Sequence, residues 1–363
     1  MDNKRTLSIV IAGGGTAGHV SPMLAVAQEL KARNPESKIL AIGTEEGLEK
    51  QMVPAAGFEL RFIPRVPFPR RPDTYILKFP KLFYKAIKSV KEILREVKAD
   101  VVFGVGGYVS TPVYIAAQQL KIPYVIHEAN TIPGLANKLG AKKAAAVGTA
   151  FAGAVLPNSV LVGMPMKKEI SSLDRIASQK AARKRLGLDP DIKTLIVTGG
   201  SSGAKSVNEA LVKSLQDFEN NNIQVLHIVG PGKAIEVAGK FSLYHQVEFI
   251  SQMQDVYAAA DILVCRSGSG TVSEVCAVGV PAVFIPLPFG NGEQRLNAQP
   301  VVDAGGGVMV DNHEFNDKFI SKELIPLLNN TVAQQKLAEN AYKMGIRDAD
   351  VQVAKMIEQV TNA

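Results

Sequence analysis

The stretch LSIVIAGGGTAGH at residues 7–19 decides the fold of the N-terminal half. Its first six residues are mostly apolar and do not alternate with polar ones, which is typical of a strand buried on both faces of a parallel sheet. Gly13, Gly15 and Gly18 then give the spacing GxGxxG at the start of a helical pattern. Glycines let the chain turn sharply and approach a pyrophosphate at a helix N-terminus. The segment therefore predicts a Rossmann-like strand–loop–helix unit.

Further apolar runs of strand length follow, separated by helical patterns. They lie at residues 39–42, 101–105, 124–126, 160–162, 194–198, 225–229, 247–250, 261–265 and 282–286. Strands that alternate with helices predict a parallel sheet covered on both faces.

The second half repeats the opening, with a glycine-rich turn at residues 199–203 and a helix at about 205–220. We therefore expect an α/β protein with two Rossmann-like domains that face each other across a cleft. The N-terminal domain is predicted at residues 1–163 and the C-terminal domain at 164–345. The amphipathic segment 346–363 is predicted to be a helix that packs back across the interface.

The composition is that of a globular protein, since 46% of the 363 residues are hydrophobic and 21% are charged. Cys265 and Cys276 lack the spacing of a metal site, and a reduced compartment with two buried cysteines is the simplest interpretation. No apolar run approaches the roughly 18 residues of a membrane-spanning helix. We therefore expect a cytoplasmic protein that at most binds a membrane surface.

The formal net charge of +7 is unevenly distributed. Residues 61–98 contain eleven Lys or Arg and three acidic residues. A local basic patch implies an anionic partner, either a membrane surface or a nucleic acid.

Polar side chains follow three strands of the first half. His19 comes after the first strand, Tyr108 after the run 101–105, and Glu128 and Asn130 after the run 124–126. Carboxyl ends of parallel strands share one edge of a sheet, so these residues are predicted to line one site.

A third glycine loop, RSGSGTVSE, follows the strand predicted at residues 261–265. Its backbone is rich in donors and starts a helix, which suits a phosphate. Thr271 and Glu274 have the spacing of a capping box, which predicts a structural role for Glu274. Alternatively, the carboxylate of Glu274 accepts hydrogen bonds from the hydroxyls of a ribose.

The loop PLPFGNGEQRLNA at residues 286–298 carries carboxylate and amide groups before another helix, which suits either the hydroxyls of a sugar or a solvated turn. No His/Cys/Asp cluster has metal-ligand spacing, so no metal and no cofactor are expected.

Five blocks together resemble the lipid II-forming N-acetylglucosaminyltransferases of bacteria, the MurG family. They are GGGTAGHVSP at 13–22, GVGGYVSTP at 104–112, HEANTIPGLANK at 127–138, GGSSGAKSVN at 199–208 and the segment 265–298. The blocks span nearly the whole chain in the family's order. The resemblance implies the two-domain GT-B glycosyltransferase fold.

The resemblance also implies the reaction. N-acetylglucosamine passes from UDP-GlcNAc to the 4-hydroxyl of the muramoyl sugar in undecaprenyl-pyrophosphoryl-MurNAc-pentapeptide, lipid I. The anomeric configuration inverts, which gives the β-1,4 linkage of lipid II for peptidoglycan synthesis.

The resemblance further implies which residues bind the two substrates. In the family the donor lies mainly on the C-terminal domain, where Ser201 and the backbone at Ser269, Gly270 and Thr271 meet the diphosphate. Glu274 then holds the ribose, and the backbone at Ile250 contacts uracil. The transferred sugar and the nucleotide are also contacted by Thr16, Ala17, Gly18, His19, Asn130, Lys167 and Gln294. The acceptor is bound by Gly15, Tyr108 and Glu128.

Two positions depart from the family pattern. Met164-Pro165-Met166-Lys167 stands where relatives often have Asn-Pro-x-Arg, so Lys167 replaces an arginine. Glu293-Gln294 stands where many relatives have two glutamines, so we assign sugar binding to Gln294 and not to Glu293.

The inverting displacement needs a base for the acceptor hydroxyl, and His19 and Glu128 are the candidates. A histidine titrates near neutrality, whereas a carboxylate needs a raised pKa. We therefore predict that His19 is the base, with Glu128 as the alternative.

The segment 75–85 combines apolar and basic residues and is predicted to dock on the anionic inner surface of the cell membrane. From residue 82 to residue 97 the apolar residues have helical spacing, which also fits a helix packed on the core.

Four other functions remain as alternatives. A UDP-GlcNAc 2-epimerase or a lipid galactosyltransferase shares the architecture, and GxGxxG alone also fits a dehydrogenase. The basic patch fits an RNA-binding protein, but Trp is absent and no aromatic stacking motif is present, so no nucleic acid is expected.

Overall fold

The computed structural model describes residues 6–69 and 74–362. The chain forms two compact units, of which the first comprises Met1–Lys167 together with Asp348–Ala363. The second unit comprises Lys168–Arg347. The C-terminal segment thus belongs to the first unit, although the second unit lies between them in sequence.

The strands are numbered in chain order. They are β1 Ser8–Ala12, β2 Lys38–Gly43, β3 Glu59–Phe62, β4 Val101–Gly104, β5 Tyr124–Glu128, β6 Ala146–Thr149, β7 Ser159–Leu161, β8 Lys193–Thr198, β9 Ile223–Ile228, β10 Tyr244–Val247, β11 Ile262–Cys265, β12 Ala282–Phe284 and β13 Val308–Met309.

The helices are numbered in the same way, and a π-helical turn at Ile320–Leu324 connects α13 to α14. They are α1 Ala17–Arg33, α2 Glu49–Ala55, α3 Tyr75–Glu96, α4 Ser110–Gln119, α5 Leu135–Gly140, α6 Lys168–Ser171, α7 Arg175–Arg185, α8 Lys205–Lys213, α9 Leu215–Asn220, α10 Met253–Ala259, α11 Ser269–Val278, α12 Glu293–Asp303, α13 Asp317–Phe319, α14 Ile325–Asn329, α15 Thr331–Met344 and α16 Ala349–Asn362.

The first unit contains a parallel sheet with the strand order β3-β2-β1-β4-β5-β6-β7. From β1 the chain proceeds outward to β2 and β3 and then crosses back to β4. The order of the strands therefore reverses between β1 and β4. In open parallel sheets, ligands bind at such a switch point, beyond the carboxyl ends of the strands.

The core of the first unit lies on both faces of this sheet. On one face, Ile11 of β1 and Phe103 of β4 pack in a cluster with Met23 of α1 and Ile357 of α16. On the other face, the cluster contains side chains of α3 and α4. Burial of one such side chain contributes roughly 1.5–3 kcal/mol. Because α16 fills part of this core, residues far apart in sequence stabilise one unit.

The second unit contains a parallel sheet with the strand order β10-β9-β8-β11-β12-β13. Its strand order reverses between β8 and β11, so the glycine loops after these two strands flank the switch point. The fold class predicted from the sequence, an α/β protein with two parallel-sheet Rossmann-like units, is confirmed.

Three local predictions in the second half are wrong. The strand expected at residues 247–250 is β10, which ends at Val247. The helix expected at residues 205–220 is interrupted at the buried Ser214, between α8 and α9. The capping box does not form, because Gly268 is the N-cap of α11 and Thr271 lies inside the first turn.

Two further points concern the cysteines and the possibility of a membrane-spanning helix. Cys265 and Cys276 are free and buried, as expected. Within residues 6–69 and 74–362, no helix has the length and apolar character that crossing a bilayer requires.

Candidate functional site

The first glycine loop connects β1 to α1 at the switch point of the first unit. Gly15 has φ +95°, a backbone conformation that glycine adopts readily. Thr16 is the N-cap of α1, and Ala17, Gly18 and His19 form its first turn. Backbone N–H groups in a first turn lack helical acceptors and can bind an anion. The loop thus offers donors next to His19.

His19 is half-buried, and its Nδ1 lies 3.3 Å from Oγ1 of Thr16. Burial lowers the pKa of His19, and the negative charge of Glu49 opposes this shift. The imidazole is therefore neutral at pH 7 and can accept a proton.

The loop after β4 lies against the first glycine loop. A Cβ at Gly107 would lie 2.9 Å from the carbonyl oxygen of Gly14 and 3.8 Å from Nδ1 of His19. A Cβ at Gly15 would lie 3.2 Å from Cε1 of Tyr108. The structure thus brings together His19 and Tyr108, both of which the sequence predicts at one carboxyl edge, and places Gly15 beside Tyr108.

Glu128 ends β5 and is buried. Its carboxylate accepts hydrogen bonds from the N–H of Asn130 at 2.9 Å, the N–H of Gly134 at 3.0 Å and Nδ2 of Asn137 at 2.9 Å. These donors stabilise the ionised carboxylate and fix the loop that carries the half-buried Asn130. The arrangement suits a structural carboxylate better than a base that must pick up a proton.

In the second unit, the loop after β8 carries the exposed Ser201. Lys233, in the loop after β9, donates hydrogen bonds from Nζ to the carbonyl oxygens of Ser202 at 2.5 Å and Gly203 at 3.2 Å. Lys233 was missed by the sequence analysis, although the run Gly-Pro-Gly-Lys at residues 230–233 is a visible turn signal.

The loop after β11 leads into the N-terminus of α11 on the other side of this switch point. Ser269, Gly270 and Thr271 are the first three residues of that helix. A Cβ built at Gly268 or at Gly270 meets nothing within 4 Å, so the space in front of these residues is open. Their N–H groups and the helix dipole can hold a diphosphate there.

Glu274 lies one turn further along α11. Its Oε2 accepts a hydrogen bond of 2.5 Å from the hydroxyl of Tyr257, which is buried in α10. Burial and the neighbouring Glu274 raise the pKa of Tyr257 well above its usual value, so the phenol stays protonated and donates. Tyr257 orients the carboxylate, and its place in an apolar helical run gave no signal of this role.

The loop after β12 is held by two side chains. Arg266 is buried and donates from Nη1 to the carbonyl oxygens of Ile285 and Pro286, both at 3.1 Å. Gln294, in the first turn of α12, accepts the N–H of Leu287 at 3.0 Å through Oε1. Arg266 thus holds this loop through its backbone carbonyls.

Two remaining predicted residues lie outside these clusters of contacts. Ile250 is half-buried in the loop beyond β10, and Lys167 is exposed at the end of the first segment. Among the residues that the structure describes, no group of three or more His, Cys, Asp or Glu side chains could hold a metal ion.

Comparisons with known proteins assign the class. Residues 9–149 match the model of the glycosyltransferase family 28 N-terminal domain, and residues 194–360 match that of the family 28 C-terminal domain. Together with the two parallel sheets, these matches define a two-domain family 28 glycosyltransferase.

Sequence identity to a curated relative shows which family within this class the chain belongs to. The chain is 51% identical over 363 residues to the UDP-N-acetylglucosamine--N-acetylmuramyl-(pentapeptide) pyrophosphoryl-undecaprenol N-acetylglucosamine transferase of Paenarthrobacter aurescens, covering 99% of this chain and 98% of the relative. The chain therefore belongs to this family of transferases, the MurG family.

Solved structures agree with this membership. MurG of Acinetobacter baumannii matches with a TM-score of 0.76 and 26% identity, over 98% of this chain and 100% of that one. A UDP-GlcNAc 2-epimerase from Neisseria meningitidis also matches, with a TM-score of 0.67 and 14% identity over 98% and 100% of the two chains. At that identity the epimerase shows a shared fold alone.

Proposed function

We propose that this protein transfers N-acetylglucosamine from UDP-GlcNAc to the 4-hydroxyl of MurNAc in lipid I and so forms lipid II for the cell wall. The observation that carries the proposal is the identity of 51% across 99% of the chain to a relative named for this transfer. A lipid galactosyltransferase or a 2-epimerase is less well supported, since curated relatives at 43–51% identity carry the transferase name.

The donor is assigned mainly to the second unit. The diphosphate takes the open space at the start of α11, where Ser269, Gly270 and Thr271 present N–H groups. Ser201 and Lys167 add contacts to the phosphates. Each of these hydrogen-bond donors is important for the reaction. Removing a single donor to a developing anion raises the activation free energy by roughly 3 kcal/mol.

The nucleoside and the sugar complete the donor site. Glu274, oriented by Tyr257, accepts hydrogen bonds from the ribose hydroxyls, and the backbone at Ile250 contacts uracil. Gln294 contacts the transferred sugar through its amide nitrogen, since its Oε1 already accepts from Leu287.

The first unit is assigned to the acceptor and to the reacting end of the donor. Gly15, Tyr108 and Glu128 bind the acceptor. The donor's reacting end is contacted by the first turn of α1, namely Thr16, Ala17, Gly18 and His19, and by Asn130.

The chemistry is one in-line displacement. The oxygen of the acceptor 4-hydroxyl bonds to C1 of N-acetylglucosamine, while the bond from C1 to the β-phosphate oxygen breaks. UDP leaves with that electron pair, and the anomeric configuration inverts. His19 takes the proton of the hydroxyl, since burial lowers its pKa and leaves the imidazole neutral. Glu128 remains the alternative base, but its three donors favour a role in shaping the loop.

The acceptor is lipid-linked, and we assign the surface of α3 to docking on the anionic inner face of the cell membrane. Leu77 is 85% exposed, Tyr84 is 69% exposed and Ile76 is 44% exposed on this helix. Lys81 and Lys88 lie on the same helical face as Leu77 and Tyr84, at spacings of three and four residues. Apolar side chains beside lysines suit shallow insertion among anionic headgroups.

The proposed function is tested by incubating the purified protein with labelled UDP-GlcNAc and a short-chain lipid I analogue. We expect a disaccharide product with a β-1,4 linkage. Transfer from UDP-galactose in preference to UDP-GlcNAc, or conversion of UDP-GlcNAc to its 2-epimer without an acceptor, would contradict the proposal. Binding of RNA in place of anionic vesicles would contradict the assignment of the basic surface.

A further inference from the structure

A buried carboxylate lies beneath the first glycine loop and takes no part in the reaction described above. Glu49 is the first residue of α2 and is 0% exposed. An ionised carboxylate is costly to bury unless several donors compensate the lost water. Its surroundings therefore indicate what it contributes.

Both oxygens of Glu49 accept hydrogen bonds from loops at the carboxyl edge of the sheet. Oε2 accepts the N–H of Gly15 at 2.9 Å, in the loop after β1. Oε1 accepts the N–H of Thr44 at 2.9 Å and its hydroxyl at 3.0 Å, in the loop after β2. One side chain thus joins two loops.

The network reaches a third loop through Thr44. Its hydroxyl lies 3.1 Å from the hydroxyl of Tyr108, in the loop after β4. Because the Thr44 hydroxyl donates its one proton to Glu49, it accepts from Tyr108. The guanidinium of Arg65, which forms an ion pair with Glu46, lies 5.4 Å from the centre of the Tyr108 ring.

Three glycines close over the Glu49 side chain. A Cβ at Gly47 would lie 1.9 Å from Oε2, one at Gly43 would lie 2.4 Å from Cγ, and one at Gly14 would lie 2.6 Å from Oε1. The backbone therefore approaches the carboxylate from both loops. These positions require glycine because a side chain there would displace Glu49.

We propose that Glu49 is a positioning residue for the acceptor half of the site: its carboxylate fixes the loops after β1, β2 and β4 relative to one another, next to His19. The inference rests on the proposed function, in which His19 is the base.

The negative charge of Glu49 also affects how readily His19 accepts a proton. Burial lowers the pKa of His19, and the charge of Glu49 counteracts that effect. The other ionisable groups at these loops are the phenol of Tyr108, whose ring Arg65 covers, and the exposed carboxylates of Glu45 and Glu46, of which Glu46 forms an ion pair with Arg65. Loss of the Glu49 charge would therefore make His19 a weaker base.

The variant Glu49→Gln keeps the shape of the side chain but removes the charge and one acceptor. We expect kcat to fall on the order of 10- to 100-fold, as is usual when a reacting group is misplaced. The dissociation constant of UDP should stay within about threefold of the wild-type value, because the donor is assigned to the second unit. The acidic limb of the kcat profile should move to lower pH.

Two further variants distinguish the positioning role of Glu49 from a general effect of lost charge and from a failure to fold. Glu45→Gln removes the same charge from an exposed residue of the same loop and should leave kcat and the pH profile unchanged. Thr44→Val keeps Glu49 but breaks the link to Tyr108, so kcat should fall several-fold with an unmoved pH profile.

The experiments distinguish failure of the Glu49 inference from failure of the proposed function. If the wild-type protein forms no disaccharide, the function itself is wrong. If the wild type is active and Glu49→Gln matches it in kcat and pH profile, or if Glu49→Gln does not fold and Thr44→Val retains wild-type kcat, Glu49 is not a positioning residue.

Discussion

His19 combines partial burial with a place in the first turn of α1, next to the loop that carries Tyr108. A neutral imidazole at that place can accept the proton of the acceptor hydroxyl, whereas the carboxylate of Glu128 is engaged by three donors. The difference between these two candidates was not visible in the sequence, because it depends on which groups surround each side chain.

His19→Ala should lower kcat about 100-fold or more, the usual contribution of a general base. The dissociation constant of UDP-GlcNAc should change by less than about threefold, since few of its contacts are lost. Isothermal titration calorimetry and steady-state kinetics measure the two effects. His313→Ala, which removes an exposed histidine of the second unit, serves as the control. A large loss of donor affinity with normal kcat would exclude His19 as the base.

Tyr257→Phe should weaken the binding of UDP about five- to tenfold, because the variant leaves Glu274 without a hydrogen bond worth roughly 1 kcal/mol. The effect acts through the ribose, so the affinity for a 2′,3′-dideoxy analogue of UDP should be almost unchanged. Calorimetry with both ligands tests this. Equal losses for UDP and for the analogue would show that Glu274 does not hold the ribose.

At the scale of the element, α3 has two different faces. Ala86, Val90 and Leu94 are buried against the sheet, while Leu77 and Tyr84 are exposed. The helix runs from Tyr75 through Pro80 without interruption, so the segments 75–85 and 82–97 distinguished in the sequence are one element. Phe79 belongs with the protein side of the helix, since its ring lies 5.4 Å from that of Phe68 and 5.2 Å from that of Phe83.

The double change Ile76→Ser and Leu77→Ser should weaken binding to anionic vesicles at least tenfold, because insertion of each side chain contributes on the order of 1–2 kcal/mol. Sedimentation with vesicles that contain phosphatidylglycerol measures the partition. Ile176→Ser, at a residue of the second unit that is 71% exposed, is the matched control. Equal binding of both variants and the wild type would remove α3 from the membrane surface.

At the scale of the whole molecule, each unit contains one buried neutral histidine. His127 donates from Nε2 to the carbonyl oxygen of Gly163 at 2.8 Å, and His227 lies between Tyr244 and Asn208 at 2.9 and 3.0 Å. Burial lowers the pKa of each of them to about 4. Protonation of His127 would place a second N–H donor, at Nδ1, in the core, where this atom has no protein partner among the described residues.

Both units should therefore lose stability in acid. The unfolded chain binds protons at a pKa of about 6.5, above the folded value, so the free energy of unfolding falls as the pH decreases from about 6.5 to about 4. Each histidine accounts for roughly 2 kcal/mol of this loss at pH 5. His127→Asn and His227→Asn should each lower the melting temperature at pH 7.5 and reduce the further loss at pH 5. If the melting temperatures of the variants fall as steeply between pH 7.5 and pH 5 as that of the wild type, the two histidines are not the cause of the acid sensitivity.

The sequence by itself determined the fold class and the places of the glycine loops. Unbroken apolar runs such as residues 7–12 specify buried parallel strands, and the glycines that follow them specify tight turns, because both signals are local. The length of β10 and the start of α11 were predicted wrongly, since pairing with neighbouring strands and the packing of the preceding loop decide such boundaries.

Only the tertiary structure decided which side chains support the candidate site. Glu49, Tyr257 and Lys233 lie in segments whose patterns indicate an ordinary helix or turn, and their contacts join different elements of the chain. The same holds for α16, which joins the core of the first unit. Hydrogen bonds and packing between remote segments depend on how the strands are ordered in the sheet, and a local pattern does not encode that order.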